Sequence, residues 1–169
     1  MEQIQVQRVQ KEDLPEVARI RIEGWKTAYR GIIDDYFLDN LSIEKDQQKR
    51  EKDYQLNGFL VAKIGEKVVG FCRYVGDNQF SPDRTDIDCE ITALYVAPEW
   101  KHHGIGTALF SAVKQEFQAQ HKTRMIIWCL QKNLSAHQFY TKMGGKKQGK
   151  KQSQIGDKTY PEVCFIYEL

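Results

Sequence analysis

The sequence has 169 residues, of which 41 % are hydrophobic and 28 % are charged, the balance of a globular domain that buries its own core. This composition excludes a disordered tail, a collagen-like rod and a disulfide-dense miniprotein, and no apolar run approaches the roughly 18 residues of a membrane-spanning helix. The net charge of +2 is too small to favour non-specific binding of nucleic acid, so we expect neither a nucleic-acid nor a membrane partner.

Apolar periodicity predicts the elements of one mixed α/β domain spanning residues 1–169. In chain order they are a strand at 4–9, a helix over 14–29, one or two short surface helices within 34–57, strands at 59–64, 67–75 and 87–96, a helix from about 104 to 117, a strand at 124–130, a helix ending at 144, and strands at 146–152 and 162–169. Asp13 with Glu16 is typical of a helix N-terminus, and Gly65-Glu66 and Gly156-Asp157 are typical of hairpin turns.

The N-terminus and the cysteines indicate the compartment. Residues 1–5 lack the basic start and the apolar stretch of a secretory signal, which predicts a soluble cytoplasmic protein. The four cysteines contain no C-x-x-C pair, and the four histidines have no ligand spacing relative to them. We therefore expect four reduced thiols in core or strand positions and no metal site.

Charge is divided unevenly along the chain. Residues 1–100 carry 14 basic and 19 acidic side chains, a net charge of −5, whereas residues 101–169 carry 11 basic and 4 acidic ones, a net charge of +7. Chance placement on a solvated surface explains this as well as an anionic ligand bound by the C-terminal half. A basic run that an exposed strand edge explains without a ligand consists of Lys146, Lys147, Lys150 and Lys151.

One segment, from Glu90 to Leu109, combines a strand, a short polar loop and Gly104-Ile105-Gly106 at the start of a helix. Glycines let the backbone approach a ligand closely, and the first N–H groups of a helix have no partner within it. Together with the helix dipole they suit a pyrophosphate. The spacing fits neither a dinucleotide-binding loop, whose third glycine would fall at Leu109, nor an NTPase phosphate loop, because no lysine follows Gly106.

This segment resembles the acetyl-CoA signature of the GNAT superfamily of N-acetyltransferases, Gln/Arg-x-x-Gly-x-Gly/Ala after a Leu-Tyr-Val-x-Pro strand. Residues 133–144 resemble the family's Asn-x-x-Ala-x-x-x-Tyr-x-x-x-Gly block. Two positions depart, since Lys101 replaces the usual Gln or Arg and Gly145 stands where an aromatic residue is usual. The resemblance covers nearly the whole chain. It implies a mostly antiparallel twisted sheet of about seven strands with a splayed parallel pair, flanked by about four helices.

The resemblance also implies where acetyl-CoA binds. The pantetheine arm would pair with the backbone of Leu94 and Val96, and the N–H groups of residues 102–107 would bind the pyrophosphate. Asn133 would hydrogen-bond the arm, although a helix N-cap explains this residue equally well. The expected set of cofactor-binding residues is Leu94, Tyr95, Val96, Lys101, His102, His103, Gly104, Ile105, Gly106, Thr107, Asn133 and Ala136.

Two side chains are candidates for moving protons. An alkylammonium has a pKa of about 10, so it must lose a proton before it attacks a thioester, and Glu90 stands where several family members place a catalytic glutamate. A strand-end glutamate in a salt bridge is the alternative. Tyr140 matches the family's tyrosine that protonates the departing thiolate, and a core aromatic on a helix face is the alternative.

The acceptor pocket is expected along the first helix. Trp25 and Tyr29 are the candidate substrate-binding residues, and Asp34, Asp35 and Tyr36 are further candidates, because aromatic walls beside carboxylates suit an amine. Plain core packing is the alternative for each aromatic. The sequence thus predicts transfer of the acetyl group of acetyl-CoA to a small primary amine or polyamine by direct attack. A protein or peptide N-acetyltransferase and a non-catalytic acyl-CoA-binding regulator remain alternatives, and the resemblance leaves a homodimer open.

Overall fold

The computed structural model describes residues 2–169, and seven of its segments are strands of one sheet. They are β1 (Ile4–Arg8), β2 (Gly58–Ile64), β3 (Lys67–Val75), β4 (Cys89–Val96), β5 (Arg124–Leu130), β6 (Lys146–Ile155) and β7 (Lys158–Glu168). The spatial order is β1-β2-β3-β4-β5-β7-β6. Every neighbouring pair is antiparallel except β4 and β5, which are parallel. The predicted fold class is confirmed.

The parallel pair separates along its length. β4 and β5 form a ladder only at Cys89, Glu90 and Ile91, which lie opposite residues 125–127. Beyond Ile91 the two strands diverge, so the remaining backbone groups along this side of β4 face a gap. The predicted splay is therefore present, and it opens directly after Glu90.

Helices cover both faces of the sheet. They are α1 (Leu14–Ala28), α2 (Asp35–Asp39), α3 (Ile43–Asp53), α4 (Ile105–Ala119) and α5 (Leu134–Lys142). The described residues thus hold five α-helices rather than about four, because the polar stretch 34–57 divides into two. Ser42 starts the second of these, as its hydroxyl accepts from the backbone N–H of Lys45 at 3.2 Å. Within residues 2–169, no helix combines the length and the apolar character required to cross a membrane.

Two hydrophobic layers hold the helices against the sheet. On one face, α4 buries Leu109, Phe110 and Phe117 with α5 and the inner residues of the strands. On the other face, α1 buries Leu14 and Val17 against β2 and β3. The two helix-bearing faces meet at the β4–β5 gap, so a ligand placed there can contact both layers.

α1 begins at Leu14 with Asp13 at the N-cap position, as predicted, but the Asp13 side chain has a different role from the one expected. Asp13 does not cap α1 with its side chain. It belongs instead to the preceding 3-10 turn, where its carboxylate accepts from the Gln10 backbone N–H at 2.8 Å and pairs with Lys63 of β2 at 2.8 Å. The correction follows from tertiary structure, because a buried carboxylate next to an ammonium is bound more strongly by the ion pair than by a helix terminus.

Two smaller departures also have physical reasons. β4 begins at Cys89 rather than Ile87, because the Asp88 carboxylate binds the backbone N–H groups of Thr123 and Arg124 at the end of the preceding loop. Gly145 lacks the usual aromatic because Tyr167 of β7 occupies that space: a Cβ at position 145 would lie 2.6 Å from the Tyr167 ring. An aromatic from another strand thus packs the end of α5.

Candidate functional site

A cavity of about 780 Å³ lies at the β4–β5 gap and reaches both faces of the sheet. It brings together the predicted catalytic, cofactor-binding and substrate-binding residues except His103 and the further acceptor candidates at positions 34–36. Those that line it are Trp25, Tyr29, Glu90, Leu94, Tyr95, Val96, Lys101, His102, Gly104, Ile105, Gly106, Thr107, Asn133, Ala136 and Tyr140. Residues from three helices and both parallel strands therefore converge on one space, as expected for a binding site rather than for scattered surface positions.

The free edge of β4 presents backbone groups to this cavity. The N–H of Ala97 donates to the Val69 carbonyl of β3 at 2.8 Å, and alternation along a strand turns the backbone of Tyr95 to the same side. The N–H and C=O groups of Leu94 and Val96 consequently point toward the gap. An extended chain can add to such an edge as a further strand.

β4 contains a β-bulge near the gap, and the bulge changes which face of the sheet its side chains point to. The register shift between Arg73 and Tyr74 of β3 leaves Thr92 of β4 without a ladder partner. As a result Ile91 and Ala93, only two residues apart, pack on opposite faces: Ile91 lies in the core under α4 and Ala93 in the core under α1. The bulge bends β4 at the point where it leaves β5.

The loop before α4 arranges backbone donors at the mouth of the cavity. Gly104 has φ of +82°, a conformation that favours glycine, and His102 has φ of +63°. The first main-chain bond of α4 runs from Ala108 to Gly104, so the N–H groups of residues 105–107 have no partner within the helix. These donors and the helix dipole form an anion-binding terminus.

The charged residues of this loop are placed differently from one another. Lys101 and His102 line the cavity beside the free N–H groups. His103 faces away from it, with its ring edge-on to Trp100 at 5.4 Å and Nδ1 2.8 Å from the Lys101 carbonyl. The Lys101 ammonium therefore stands at the position that the usual Gln or Arg would occupy.

Glu90 is fully buried at the point where the strands diverge. Its Oε2 accepts from the backbone N–H of Phe80 at 3.2 Å, and Oε1 has no hydrogen-bond partner among residues 2–169. Burial raises the pKa of Glu90 from 4.5 to about 7, and the Phe80 N–H and the nearby charge of Lys151 offset part of this rise. A carboxyl with this pKa exchanges its proton at neutral pH.

Tyr140 projects from α5 into the same cavity and is 8 % exposed. Its ring packs against Phe139 and Phe165, and its backbone carbonyl accepts from the Tyr167 hydroxyl at 2.7 Å, which fixes the helix at this residue. The pKa of Tyr140 is raised well above 10 by burial, so its hydroxyl keeps its proton at neutral pH.

Asn133 and Ala136 open α5 at the cavity wall. The Asn133 side-chain oxygen accepts from the Ala136 backbone N–H at 3.4 Å and from the Ser135 hydroxyl at 3.2 Å. Asn133 is thus the N-cap of α5 in this structure. Its position on the cavity wall also makes the residue available to a ligand.

The α1 wall of the cavity is aromatic. Trp25 donates through Nε1 to the Tyr95 hydroxyl at 2.8 Å and stacks edge-on with Tyr29 at 5.0 Å. The three further acidic and aromatic candidates lie elsewhere. Tyr36 is 77 % exposed, and the carboxylates of residues 34 and 35 pair with Lys158 and Arg30 outside the cavity.

Sequence analysis missed the side chains that form the far wall, opposite α1. They are Phe80, Trp128, Cys129, Lys151 and Glu162. Phe80 belongs to the loop between β3 and β4, where no periodicity marks it. Lys151 falls on the half-buried side of β6, but the polar sequence of this strand carries no apolar alternation that would mark that side.

Comparison with known proteins assigns this architecture to a family. The model of the acetyltransferase (GNAT) family matches residues 25–145, which is well over half of the chain. The chain belongs to the GNAT acetyltransferase family. This GNAT protein is therefore an acyltransferase, and the resemblance seen in the two sequence blocks is confirmed.

Individual relatives agree with that assignment. A probable N-acetyltransferase of Mycobacterium tuberculosis is 31 % identical over 134 residues, 77 % of this chain and 72 % of the relative. An uncharacterized N-acetyltransferase of Bacillus subtilis is 31 % identical over 137 residues, 78 % of this chain and 75 % of the relative. In fold, the chain is similar to the PaiA N-acetyltransferase of Thermoplasma acidophilum, solved in complex with coenzyme A. The TM-score is 0.74, with 19 % identity over 99 % of each chain.

Proposed function

We propose that this GNAT enzyme transfers the acetyl group of acetyl-CoA to a small primary amine by direct attack, with Glu90 as the base and Tyr140 as the acid. One observation carries the proposal. The splay of β4 and β5 places a buried carboxyl with a pKa of about 7 and a protonated tyrosine in the wall of the same cavity. Acyl transfer to an amine requires one group that accepts a proton and one that donates one.

The residues along the cavity wall provide suitable partners for two parts of acetyl-CoA, the pantetheine arm and the pyrophosphate. The outward-facing backbone of Leu94 and Val96 suits the amide groups of a pantetheine arm, which would pair as an added strand. The N–H groups of residues 105–107 and the Lys101 ammonium suit a pyrophosphate. Coenzyme A in the solved complex of PaiA, which shares the fold, agrees with this assignment.

Glu90 would prepare the acceptor. The attacking nitrogen must be a free amine, and its ammonium proton passes to the carboxylate of Glu90 directly or through one water. A pKa of about 7 leaves a large share of Glu90 ionised at neutral pH, while burial keeps it basic enough to accept the proton. The same desolvation thus makes Glu90 a better base than a solvent-exposed carboxylate.

Tyr140 would act on the leaving group. As the carbon–sulfur bond breaks, negative charge collects on the thiol sulfur, and an ordinary thiol has a pKa of about 8.5. Since the pKa of Tyr140 lies well above 10, its hydroxyl stays protonated until the sulfur becomes charged. It then donates a hydrogen bond to the sulfur and supplies the proton as the carbon–sulfur bond breaks, and the proton that the attacking nitrogen releases as the amide forms restores the neutral tyrosine.

The part of the cavity next to Glu90, here called the acceptor end, has a shape that favours a small molecule. Trp25, Tyr29, Phe80 and Trp128 surround it with aromatic surface, and only Phe80 of this group is exposed. An alkyl chain ending in an amine fits such walls, with the amine directed toward Glu90. We place the reaction in the cytoplasm, where the four free cysteines stay reduced.

Thiol release from acetyl-CoA measures the proposed activity directly. A panel of alkylamines, diamines, amino acids, aminoglycosides and peptides is offered at neutral pH, and the acetylated product is confirmed by mass. The proposal expects turnover with at least one small amine. Turnover restricted to peptides would establish the protein-acetylating alternative, and tight acetyl-CoA binding without turnover on any amine would establish the regulator.

A further inference from the structure

Lys151 stands apart from the other lysines of the basic run. Along β6 the residues alternate, so that Lys150 is exposed while Lys151 and Ser153 turn inward and line the cavity. Edge protection stays an explanation for the exposed lysines of this edge strand, but it does not account for Lys151, whose side chain reaches across β7 toward β5.

The ammonium of Lys151 is held at the acceptor end by three contacts. Its Nζ lies 4.3 Å from the centre of the Trp128 ring and 5.3 Å from that of Phe80, and it donates to the Phe80 carbonyl at 3.2 Å. The same Phe80 donates its N–H to Glu90 at 3.2 Å. Phe80 thus contacts both the Lys151 ammonium and the Glu90 carboxyl. If Glu90 is the base, the positive charge of Lys151 lies close to the reacting amine.

This cation is not neutralised by an ion pair. Among residues 2–169, no carboxylate oxygen lies within 4.0 Å of the Lys151 nitrogen. Glu162 lies opposite Lys151 in the β6–β7 ladder and lines the same cavity, but their charged groups are more than 4.0 Å apart, and the ammonium lies over the Trp128 ring instead. A half-buried cation beside aromatic rings retains its attraction for an anion, because the rings supply no formal charge.

We propose that Lys151 selects acceptors that carry a carboxylate, so that the substrate class is an amino acid or a closely similar amino carboxylate. This inference rests on the proposed function and narrows it. The acceptor's carboxylate pairs with Lys151 while its amine reaches Glu90 across the span of Phe80. A diamine or polyamine of equal length places a second ammonium against Lys151, where like charges repel.

The experiment compares acceptors that differ in one terminal group. Each amino acid in a set of α- and ω-amino acids of two to six carbons is matched with the alkylamine that lacks the carboxylate and, where one exists, with the diamine of the same length. kcat/KM is measured for each by thiol release. We expect the preferred amino acid to exceed its alkylamine by about tenfold, mainly through KM, since the contact forms on binding. The diamine should be the weakest of the three.

Variants assign the preference to one side chain. Lys151→Gln removes the charge and should lower the amino-acid to alkylamine ratio about tenfold, while Lys151→Arg should keep the ratio above that of the glutamine variant. Lys150→Gln is the matched control, because it removes the same charge one residue away on the exposed side of β6. Its ratio should equal that of the unmodified protein.

The outcomes separate this inference from the proposed function. The inference fails if kcat/KM for an alkylamine or a diamine equals or exceeds that for every amino acid. It also fails if Lys151→Gln leaves the amino-acid to alkylamine ratio unchanged. In both cases Lys151 does not select acceptors, while the proposed function stands. If no amine of any kind releases thiol, the proposed function itself fails. An equal loss of the ratio in Lys150→Gln would show a general effect of surface charge and would also overturn the inference.

Discussion

The backbone N–H of Phe80 donates to Oε2 of Glu90 at 3.2 Å and so supports the buried carboxyl from the loop between β3 and β4. The other oxygen, Oε1, is buried without a partner. Native proteins seldom leave a buried polar atom unsatisfied, and functional groups are frequent among the exceptions. The loop that carries Phe80 therefore holds the base in place and still leaves one oxygen for a substrate proton.

The pH dependence of turnover tests the role of Glu90. Glu90→Gln removes the base, so the rate should fall on the order of 10²-fold near neutral pH and by less near pH 10, where the amine is already deprotonated. The unmodified enzyme should also lose activity as Glu90 becomes protonated below its pKa of about 7, and the variant should lack this limb. Glu162→Gln, a second carboxylate of the cavity, is the control. An equal loss from Glu90→Gln at every pH would indicate a structural role.

The same carboxyl should make stability depend on pH. The pKa of Glu90 is about 7 in the folded protein and near 4.5 when exposed, so the folded state holds this proton more tightly. Stability from this group is present at low pH and falls as pH rises from 4.5 to 7. Glu90→Gln should therefore raise the unfolding free energy by about 1–2 kcal/mol at pH 8, less than the full shift because water at the cavity mouth screens the charge.

Thermal unfolding at pH 5 and pH 8 measures this difference. The gain in Tm from Glu90→Gln should be clearly larger at pH 8 than at pH 5, since the glutamine mimics the protonated carboxyl. A gain that is the same at both pH values, or a loss at pH 8, would mean that Glu90 is not destabilised by ionisation in the folded protein.

Most of the fold follows from periodicity in the sequence, whereas parts of the site depend on tertiary contacts. The alternating strands and the face of α4 are local patterns, and the splay follows from the family resemblance. The sequence predicts Asp13 at the start of α1 but not the ion pair of its carboxylate, because its partner Lys63 lies fifty residues away in the sequence. Nothing local marks the bulge at Thr92, which arises from pairing with β3. The inward position of Lys151 has no signal either, because β6 is polar on both sides up to Ile155.

The donors at the start of α4 can be tested through binding of acetyl-CoA. A ligand that binds only the folded state raises Tm, and the shift grows with its concentration. Gly104→Asp places a negative charge where the pyrophosphate would lie and should abolish the shift. Gly104→Asn is the matched control, because asparagine tolerates positive φ and carries no charge, so most of the shift should remain. If acetyl-CoA raises the Tm of Gly104→Asp as much as that of the unmodified protein, the pyrophosphate does not bind at this loop.

The buried ion pair between Asp13 and Lys63 should stabilise the fold away from the site. The two side chains are 4 % and 12 % exposed and 2.8 Å apart. Asp13→Ala leaves a buried ammonium and also removes the acceptor of the Gln10 N–H, so unfolding free energy should fall by about 3 kcal/mol. Asp35→Ala breaks an exposed pair with Arg30 and should cost less than about 1 kcal/mol. Denaturant titration measures both, and similar losses would contradict the role of burial.

The most direct measurement determines turnover and acetyl-CoA affinity of Tyr140→Phe with one good amine acceptor. The substitution keeps the ring that packs against Phe139 and Phe165 and removes only the hydroxyl. If Tyr140 protonates the departing sulfur, kcat should fall on the order of 10²-fold while the Kd for acetyl-CoA stays nearly unchanged, because the interaction is made in the transition state. Turnover within about twofold of the unmodified enzyme, with binding intact, would show that Tyr140 is a core aromatic and would contradict the proposed mechanism.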